Sequence, residues 1–355
     1  MNSELSSQQV KDIGEQGLLE RLQRFCPPEI IGDDAAVLET TPGQSLVVTT
    51  DVLVDGVHFS NLTTSPEDAG WRAAAANLSD LAAMGASPLG ITVGLGLPGE
   101  VRVSWVERLY QGMTECLQKY NTSIVGGDIV RSPVTTLAIT AFGQVNPHRI
   151  IRRSAAVVGD VIVVTGVHGA SCAGLELLLH PELGQNLKDA ERTALIRAHQ
   201  RPQPRLDVLP ILWKIFDSQS KIPNRSTERS RSLKSKIPVA GMDSSDGLAD
   251  AIIQICRASS VGAVLEHRKI PLPKTFNHWL TPEQALEYAL YGGEDFELVL
   301  CLSQELASAL VQHLGEDAAI VGRITAGSTV LLHDEQKKLP DQVLNLSQGF
   351  QHFGQ

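Results

Sequence analysis

The sequence predicts a two-domain chain of mixed α and β structure, and three observations carry that prediction. At 355 residues, 43% of them hydrophobic, the chain is long enough for about two cores. Apolar runs of strand length alternate with segments of helical period, the pattern of α/β or α+β domains. A break falls between Pro147 and Ser154, where a strand-rich block ends and GDVIVVTG begins. The domains are therefore expected at 1–150 and 151–355.

The elements follow in order. The opening MNSELSSQQVKDIGEQGLLERLQRF mixes acidic and amide side chains with spaced Leu and Ile, so it lacks the basic start and apolar core of a signal peptide. SLVVTTDVLV at 45–54 reads as a strand. SPEDAGWRAAAANLSDLAAMG starts with a Ser-Pro-Glu-Asp helix signal, is rich in Ala and ends at Gly85. EVRVSWVERLYQGMTECLQKY predicts a second helix, and TSIVGGDIV, TTLAITAFGQV and GDVIVVTGV predict further strands. One segment, 217–236, is basic, rich in Ser and nearly without large apolar residues; it is expected to be a solvated, mobile insertion.

Composition excludes several function classes. A net charge of -10 argues against a phosphate-backbone surface, so no nucleic-acid partner is expected. No apolar run reaches membrane-spanning length. The five cysteines are scattered without a C-x-x-C pair, which suits a reducing cytoplasm and not a zinc site. There is no Walker loop. GLGLPG at 94–99 matches G-x-G-x-x-G, but Pro98 and EVRVS delay the helix that should hold a pyrophosphate; it reads as a glycine-rich strand end. GASCAG lacks a nucleophile elbow, and Ser244 and Ser245 have no histidine near in sequence.

The chemistry lies in acids at predicted element ends. PVAGMDSSDGLADAII places Asp243 at a strand tip and Asp246 at a helix start. Capping explains Asp246, but Asp243 needs a donor or a cation. Asp33 and Asp34 follow PPEIIG, Asp51 follows SLVVTT, Asp80 follows AAAANLS, Asp128 follows TSIVGG, and Glu294 and Asp295 sit in ALYGGEDFELVL. Gathered together, such carboxylates repel unless hard divalent cations neutralise them. Magnesium fits the absence of Cys and His clusters, and it also binds substrate phosphates. The residues thus predict a magnesium-dependent phosphate site.

The ordered set IGDDAAVL, TTDVLVDGVHF, NLSDLAAMGASP, IVGGDIVR, RRSAAVVGD, DSSDGLADAI and YGGEDFELV closely resembles the thiamine-monophosphate kinases. Several of these motifs are shared with the wider superfamily of aminoimidazole-ribonucleotide synthetase and selenophosphate synthetase. The resemblance implies an N-terminal α+β domain whose sheet contributes to a dimer barrel, and a C-terminal α/β domain. It implies a homodimer that transfers the γ-phosphoryl group of ATP to thiamine monophosphate; the alternative is an ATP-dependent enzyme of the superfamily with another acceptor.

Carried over by motif, the magnesium ligands are Asp34 (or its neighbour Asp33), Thr49, Thr50, Asp51, Asp80, Asp128, Asp243 and Asp246. Tyr110, Gly127, Asp128, Arg153 and Ser245 match nucleotide-contacting positions, and His58, Glu294 and Phe350 match substrate-contacting ones. Bland readings compete: His58 as a turn histidine, Tyr110 as a core residue, Phe350 as terminal packing. No general base is expected, because a phosphate monoester with a second pKa of about 6 already presents an anionic oxygen.

Overall fold

The computed structural model describes residues 8–28, 30, 36–220, 239–334, 336 and 341–349. The chain forms two compact units, Met1–Leu81 with Ala86–Val145, and Ala82–Gly85 with Asn146–Gln355.

The first unit holds helices α1 (Val10–Leu22), α2 (Pro66–Ala83) and α3 (Val103–Lys119) and strands β1 (Ser45–Val54), β2 (Ser87–Leu97), β3 (Ile124–Arg131) and β4 (Thr136–Val145). The strands form one sheet in the order β1-β4-β2-β3. Pairing is antiparallel except between β2 and β3. In β4 the residues Leu137, Ile139, Ala141 and Val145 are buried on alternate positions, as period-two patterning requires. Helix α3 buries Val106, Leu109, Tyr110, Met113, Cys116 and Leu117, one stripe at three- and four-residue spacing. Gly70 of α2 and Gly112 of α3 allow their backbones to touch: a methyl group at Gly70 would run into the Leu109 carbonyl, and one at Gly112 into that of Glu67.

The second unit is built on a seven-stranded sheet of β5 (Val161–Val164), β6 (Ala240–Asp243), β7 (Gly262–Glu266), β8 (Leu298–Leu302), β9 (Ala319–Thr325), β10 (Val330–His333) and β11 (Gln342–Val343). Its order is β11-β10-β7-β9-β5-β8-β6. Its helices of ten or more residues, among the described residues, are α4 (Ala170–Leu179), α5 (Asp189–Gln200), α6 (Val208–Ser220), α7 (Leu248–Ser259), α8 (Pro282–Tyr291) and α9 (Gln304–Leu314). Strands β5 and β8 are apolar and buried at every position, as a sheet covered on both faces demands. Ile162, Val164, Met242, Val299 and Cys301 pack with Leu248, Ile252 and Ile255 of α7. Their neighbours Val161, Val163, Leu298, Leu300 and Leu302 pack with α6 and α9 on the other face. Alternation along each strand thus fixes three layers, helix, sheet and helix. Each fully buried Leu or Ile contributes about 1.5–3 kcal/mol to holding them.

Three expectations need correction. Asp51, Asp80 and Asp128 do not end their elements: Asp51 and Asp128 lie inside β1 and β3, and Asp80 lies inside α2. Asp246 does not cap α7, because Gly247 occupies that position with φ +101°, a backbone state that glycine takes without strain. The basic segment does not begin as an insertion at Asp217, since α6 runs to Ser220 and Asp217 accepts a 2.7 Å hydrogen bond from Arg149. The apolar face of ILWKIF carries the helix past the point where composition changes; residues 221–236 lie outside the described ones. The glycine-rich strand end is found, with β2 continuing through Leu97 and α3 starting at Val103.

Candidate active site

In the first unit, side-chain alternation sorts the predicted ligands on β1. Thr49 and Asp51 share a face, and the Thr49 hydroxyl donates to the Asp80 carboxylate of α2 at very short range. Thr50 points to the opposite face, where its Oγ1 lies 2.9 Å from Thr140 Oγ1; it is not brought to the other two. Gly127 and Asp128 are exposed on the edge strand β3. A methyl group at Gly127 would run into the Val93 carbonyl across the parallel pair, so only glycine permits this register.

His58 lies in the turn after β1. The Val54 N–H donates to His58 Nδ1 at 3.1 Å, while the His58 N–H donates to the Val54 carbonyl at 2.9 Å. This places the proton of the neutral imidazole on Nε2. Tyr110 is a core residue, 5% exposed, with its ring 5.8 Å from that of Phe25. Burial raises its phenol well above the ordinary value, so it stays neutral. Asp33, Asp34 and Phe350 lie outside the described residues.

In the second unit, two loops are laced together. Asp243 ends β6, is buried, and accepts from Ser245 Oγ at 3.1 Å. The Ser244 N–H donates to the Glu297 carbonyl (2.9 Å), the Glu297 N–H donates to Ser244 Oγ (3.2 Å), and the Glu294 N–H donates to the Ser245 carbonyl (2.7 Å). The DSSD and GGEDFE segments are therefore one construction, which no spacing rule reveals from 50 residues away.

That construction is strained locally. Gly293, Glu294 and Phe296 all take left-handed backbone, with φ +67°, +59° and +53°; each non-glycine costs roughly 1 kcal/mol or more. The intervening Asp295 anchors the loop, because its carboxylate accepts from the Gly169 N–H (2.6 Å) and the Ser171 N–H (2.9 Å) at the start of α4. Burial pushes the Asp295 pKa up to about 7, against the lowering effect of those two hydrogen bonds. Glu297 is held in turn by Thr165 Oγ1 at 2.6 Å and by an ion pair with Arg205.

Sequence reasoning missed several residues of this assembly. His199, 2% exposed, places Nδ1 3.3 Å from Ser171 Oγ and 3.5 Å from Glu294 Oε2. Asp250, in the first turn of α7, has its pKa raised by burial first and by Asp246 next, with Arg153 among the opposing charges. Arg153 itself is exposed in the turn Arg153–Ala155, whose first carbonyl accepts from Ser259 Oγ at 2.7 Å. Asp295 and Glu297 were legible as neighbours of Glu294, but nothing in AHQRP marks His199.

The donors predicted for metal are oxygens throughout, the preference of magnesium. Among the described residues, no three of His, Cys, Asp or Glu stand close enough to form a complete metal site. Among the described residues, no helix is long and apolar enough to cross a membrane.

Comparison with known proteins agrees along the chain. Residues 32–145 match the N-terminal domain, and residues 227–334 the C-terminal domain, of AIR synthase related proteins. The thiamine-monophosphate kinase of Synechococcus elongatus is 51% identical over 350 residues, covering 98% of this chain and 99% of that protein. The crystal structure of thiamine-monophosphate kinase from Stenotrophomonas maltophilia K279a superimposes with a TM-score of 0.73 at 31% identity, covering 90% of this chain and 96% of that one. AaThiL complexed with AMPPCP and TMP gives a TM-score of 0.68 at 30% identity, covering 94% and 97%. The fold is the two-domain α/β fold of AIR synthase related proteins, and the chain belongs to the thiamine-monophosphate kinase family.

Proposed function

We propose that this chain transfers the γ-phosphoryl group of ATP in line to thiamine monophosphate, giving thiamine diphosphate. The observation that carries the reading is 51% identity to a thiamine-monophosphate kinase over essentially both full lengths. The relative complexed with AMPPCP and TMP supports the pairing of a nucleotide with that acceptor.

Asp34, Thr49, Asp51, Asp80, Asp128, Asp243 and Asp246 are the proposed magnesium ligands; Thr50, matched with them by motif, faces Thr140 instead. Supporting this, the Thr49 hydroxyl already meets the Asp80 carboxylate on the Asp51 face of β1, and Asp243 is a buried carboxylate at a strand tip. When bound, magnesium supplies charge neutralisation for the two phosphorylated reactants. Gly127 lets the nucleotide approach the main chain, and exposed Arg153 offers a guanidinium to phosphate oxygens. Ser245 is assigned to the nucleotide; Tyr110, buried in its own unit against Phe25, serves packing there. His58, Glu294 and Phe350 are assigned to thiamine monophosphate; His58 presents an N–H from Nε2 when neutral. The acceptor oxygen is anionic near neutral pH, so no residue takes its proton.

A homodimer through the N-terminal sheet, closing a barrel, is part of the proposal. Its support is β1, an edge strand of ten residues that leaves Leu46, Val48 and Val52 at 55%, 52% and 48% exposure on one face. Such an edge invites pairing unless it is covered. All five cysteines are thiols, which suits the cytoplasm.

The test is to incubate the protein with ATP, magnesium and thiamine monophosphate and to quantify thiamine diphosphate and ADP by chromatography. Stoichiometric products that are lost with EDTA and absent with free thiamine are expected. ATP hydrolysis or binding without diphosphate would refute the acceptor and point to another member of the superfamily.

A further inference from the structure

We propose that His199 is a positioning residue, which holds the Glu294 carboxylate in register for the substrate, with Ser171 as its brace. This rests on the proposed contact between Glu294 and thiamine monophosphate, and it concerns two residues that the motifs do not include.

Glu294 has a left-handed backbone at φ +59° and a side chain that is 34% exposed. Its main chain is fixed by the bond to Ser245 and by the anchoring of the next residue on α4. The side chain is a separate problem. A glutamate open to solvent samples several rotamers, and freezing them on binding weakens affinity. His199 stands on the buried side of this carboxylate, 3.5 Å from one oxygen, and that same Nδ1 lies 3.3 Å from Ser171 Oγ. Ser171 belongs to the first turn of α4, the turn whose N–H groups hold Asp295. One helix start therefore fixes the loop through Asp295, and its Ser171 hydroxyl stands beside the same imidazole nitrogen that faces Glu294, so an N–H there is shared between the two oxygens and the ring's place against the carboxylate is set.

His199 also packs in the α4–α5 contact, where its Cβ lies against Gly174, and its ring nitrogen is left facing Ser171 and Glu294. Helices α4 and α5 meet through the close approach of Gly174 to the Leu195 carbonyl and through Ala173, Leu177 and Leu195. A thiamine phosphate carries a cationic thiazolium ring, for which an oriented carboxylate is a suitable partner; a carboxylate held in advance favours that cation over uncharged analogues.

The experiment measures kcat and both KM values for Glu294→Gln, His199→Phe, His199→Asn, Ser171→Ala and the Glu294→Gln/His199→Phe double variant, with thermal midpoints for each. His199→Phe is expected to raise KM for thiamine monophosphate severalfold, the scale of one close polar contact at 3.5 Å from a carboxylate oxygen, while leaving KM for ATP unchanged. His199→Asn, which keeps a donor near the Nδ1 position, is expected to recover most of that loss. In the double variant the two effects are expected to overlap rather than multiply. If Glu294→Gln alone leaves KM for thiamine monophosphate unchanged, the assignment of Glu294 to the substrate is wrong. If Glu294→Gln raises that KM while His199→Phe and Ser171→Ala do not, the positioning role is wrong and the substrate contact stands. Should His199→Phe fail to fold, Ser171→Ala and His199→Asn decide: both KM values rising together would overturn the proposal.

Discussion

Replacing Asp295 by Asn should change how stability depends on pH, in a direction that the structure fixes. Burial raises this carboxyl from the ordinary 3.8 to about 7, against the hydrogen bonds from Ser171 and Gly169 and with help from the charges of Glu297 and Glu294. The unfolded chain therefore releases its proton near pH 4, and the folded protein keeps it until about pH 7. A raised pKa means that stability is full below the unfolded value and falls as pH climbs through the folded one. A shift of about 3 units at 1.36 kcal/mol each sets a ceiling of roughly 4 kcal/mol. The window from pH 5 to pH 8 contains about two of those units, and partial exposure of the residue screens the effect to about 2 kcal/mol. Asn cannot ionise, so this loss disappears in the variant. Asn also turns an amide donor toward one of the two N–H groups, a cost of about 1–3 kcal/mol that is the same at every pH. The assay is urea unfolding of both proteins at pH 5 and pH 8. The variant should be less stable at pH 5 and gain about 2 kcal/mol on the parent by pH 8. Equal pH slopes in the two proteins would refute the reasoning.

The remaining predictions follow from other parts of the molecule. Burial pushes His168 down to about 4, and its Nε2 finds no hydrogen-bond partner among the described residues; a lowered pKa costs stability as pH falls from 6.5 toward 4, so His168→Phe should flatten the acid side of the unfolding curve, and an unchanged acid limb counts against it. Gly112→Ala should destabilise the first unit, since a gain of about 1 kcal/mol in helix propensity is outweighed by roughly 1–3 kcal/mol or more of overpacking against the immovable Glu67 carbonyl; a raised thermal midpoint would contradict this. Asp243→Asn should abolish diphosphate formation while leaving the circular dichroism spectrum intact, and near-normal turnover would remove Asp243 from the metal set. Val48→Lys on β1 should shift the protein toward monomer in size-exclusion chromatography, whereas an unaltered elution volume would place any dimer contact elsewhere.

The sequence by itself determined several of the elements and raised the expectation of a cation and phosphate site. Period-two alternation wrote β1 and β4, an Ala-rich segment between Ser-Pro-Glu-Asp and Gly85 wrote α2, and the recurrence of Asp with glycine pointed to hard cations and phosphate. These signals are local, carried by residues within a few positions of each other, and one chain suffices to read them. Tertiary structure alone decided which of those residues meet. It turned Thr50 away from Thr49 and Asp51, because adjacent strand residues face opposite sides. It gave the start of α7 to Gly247 rather than Asp246, because the turn there needs a positive φ. It laced Ser244 and Ser245 to Glu297 and Glu294, and it brought His199 from α5 to the same carboxylate. These contacts bridge about 50 to 100 residues of chain, so their geometry is set by the closure of loops around the sheet, and no periodicity in the sequence records it.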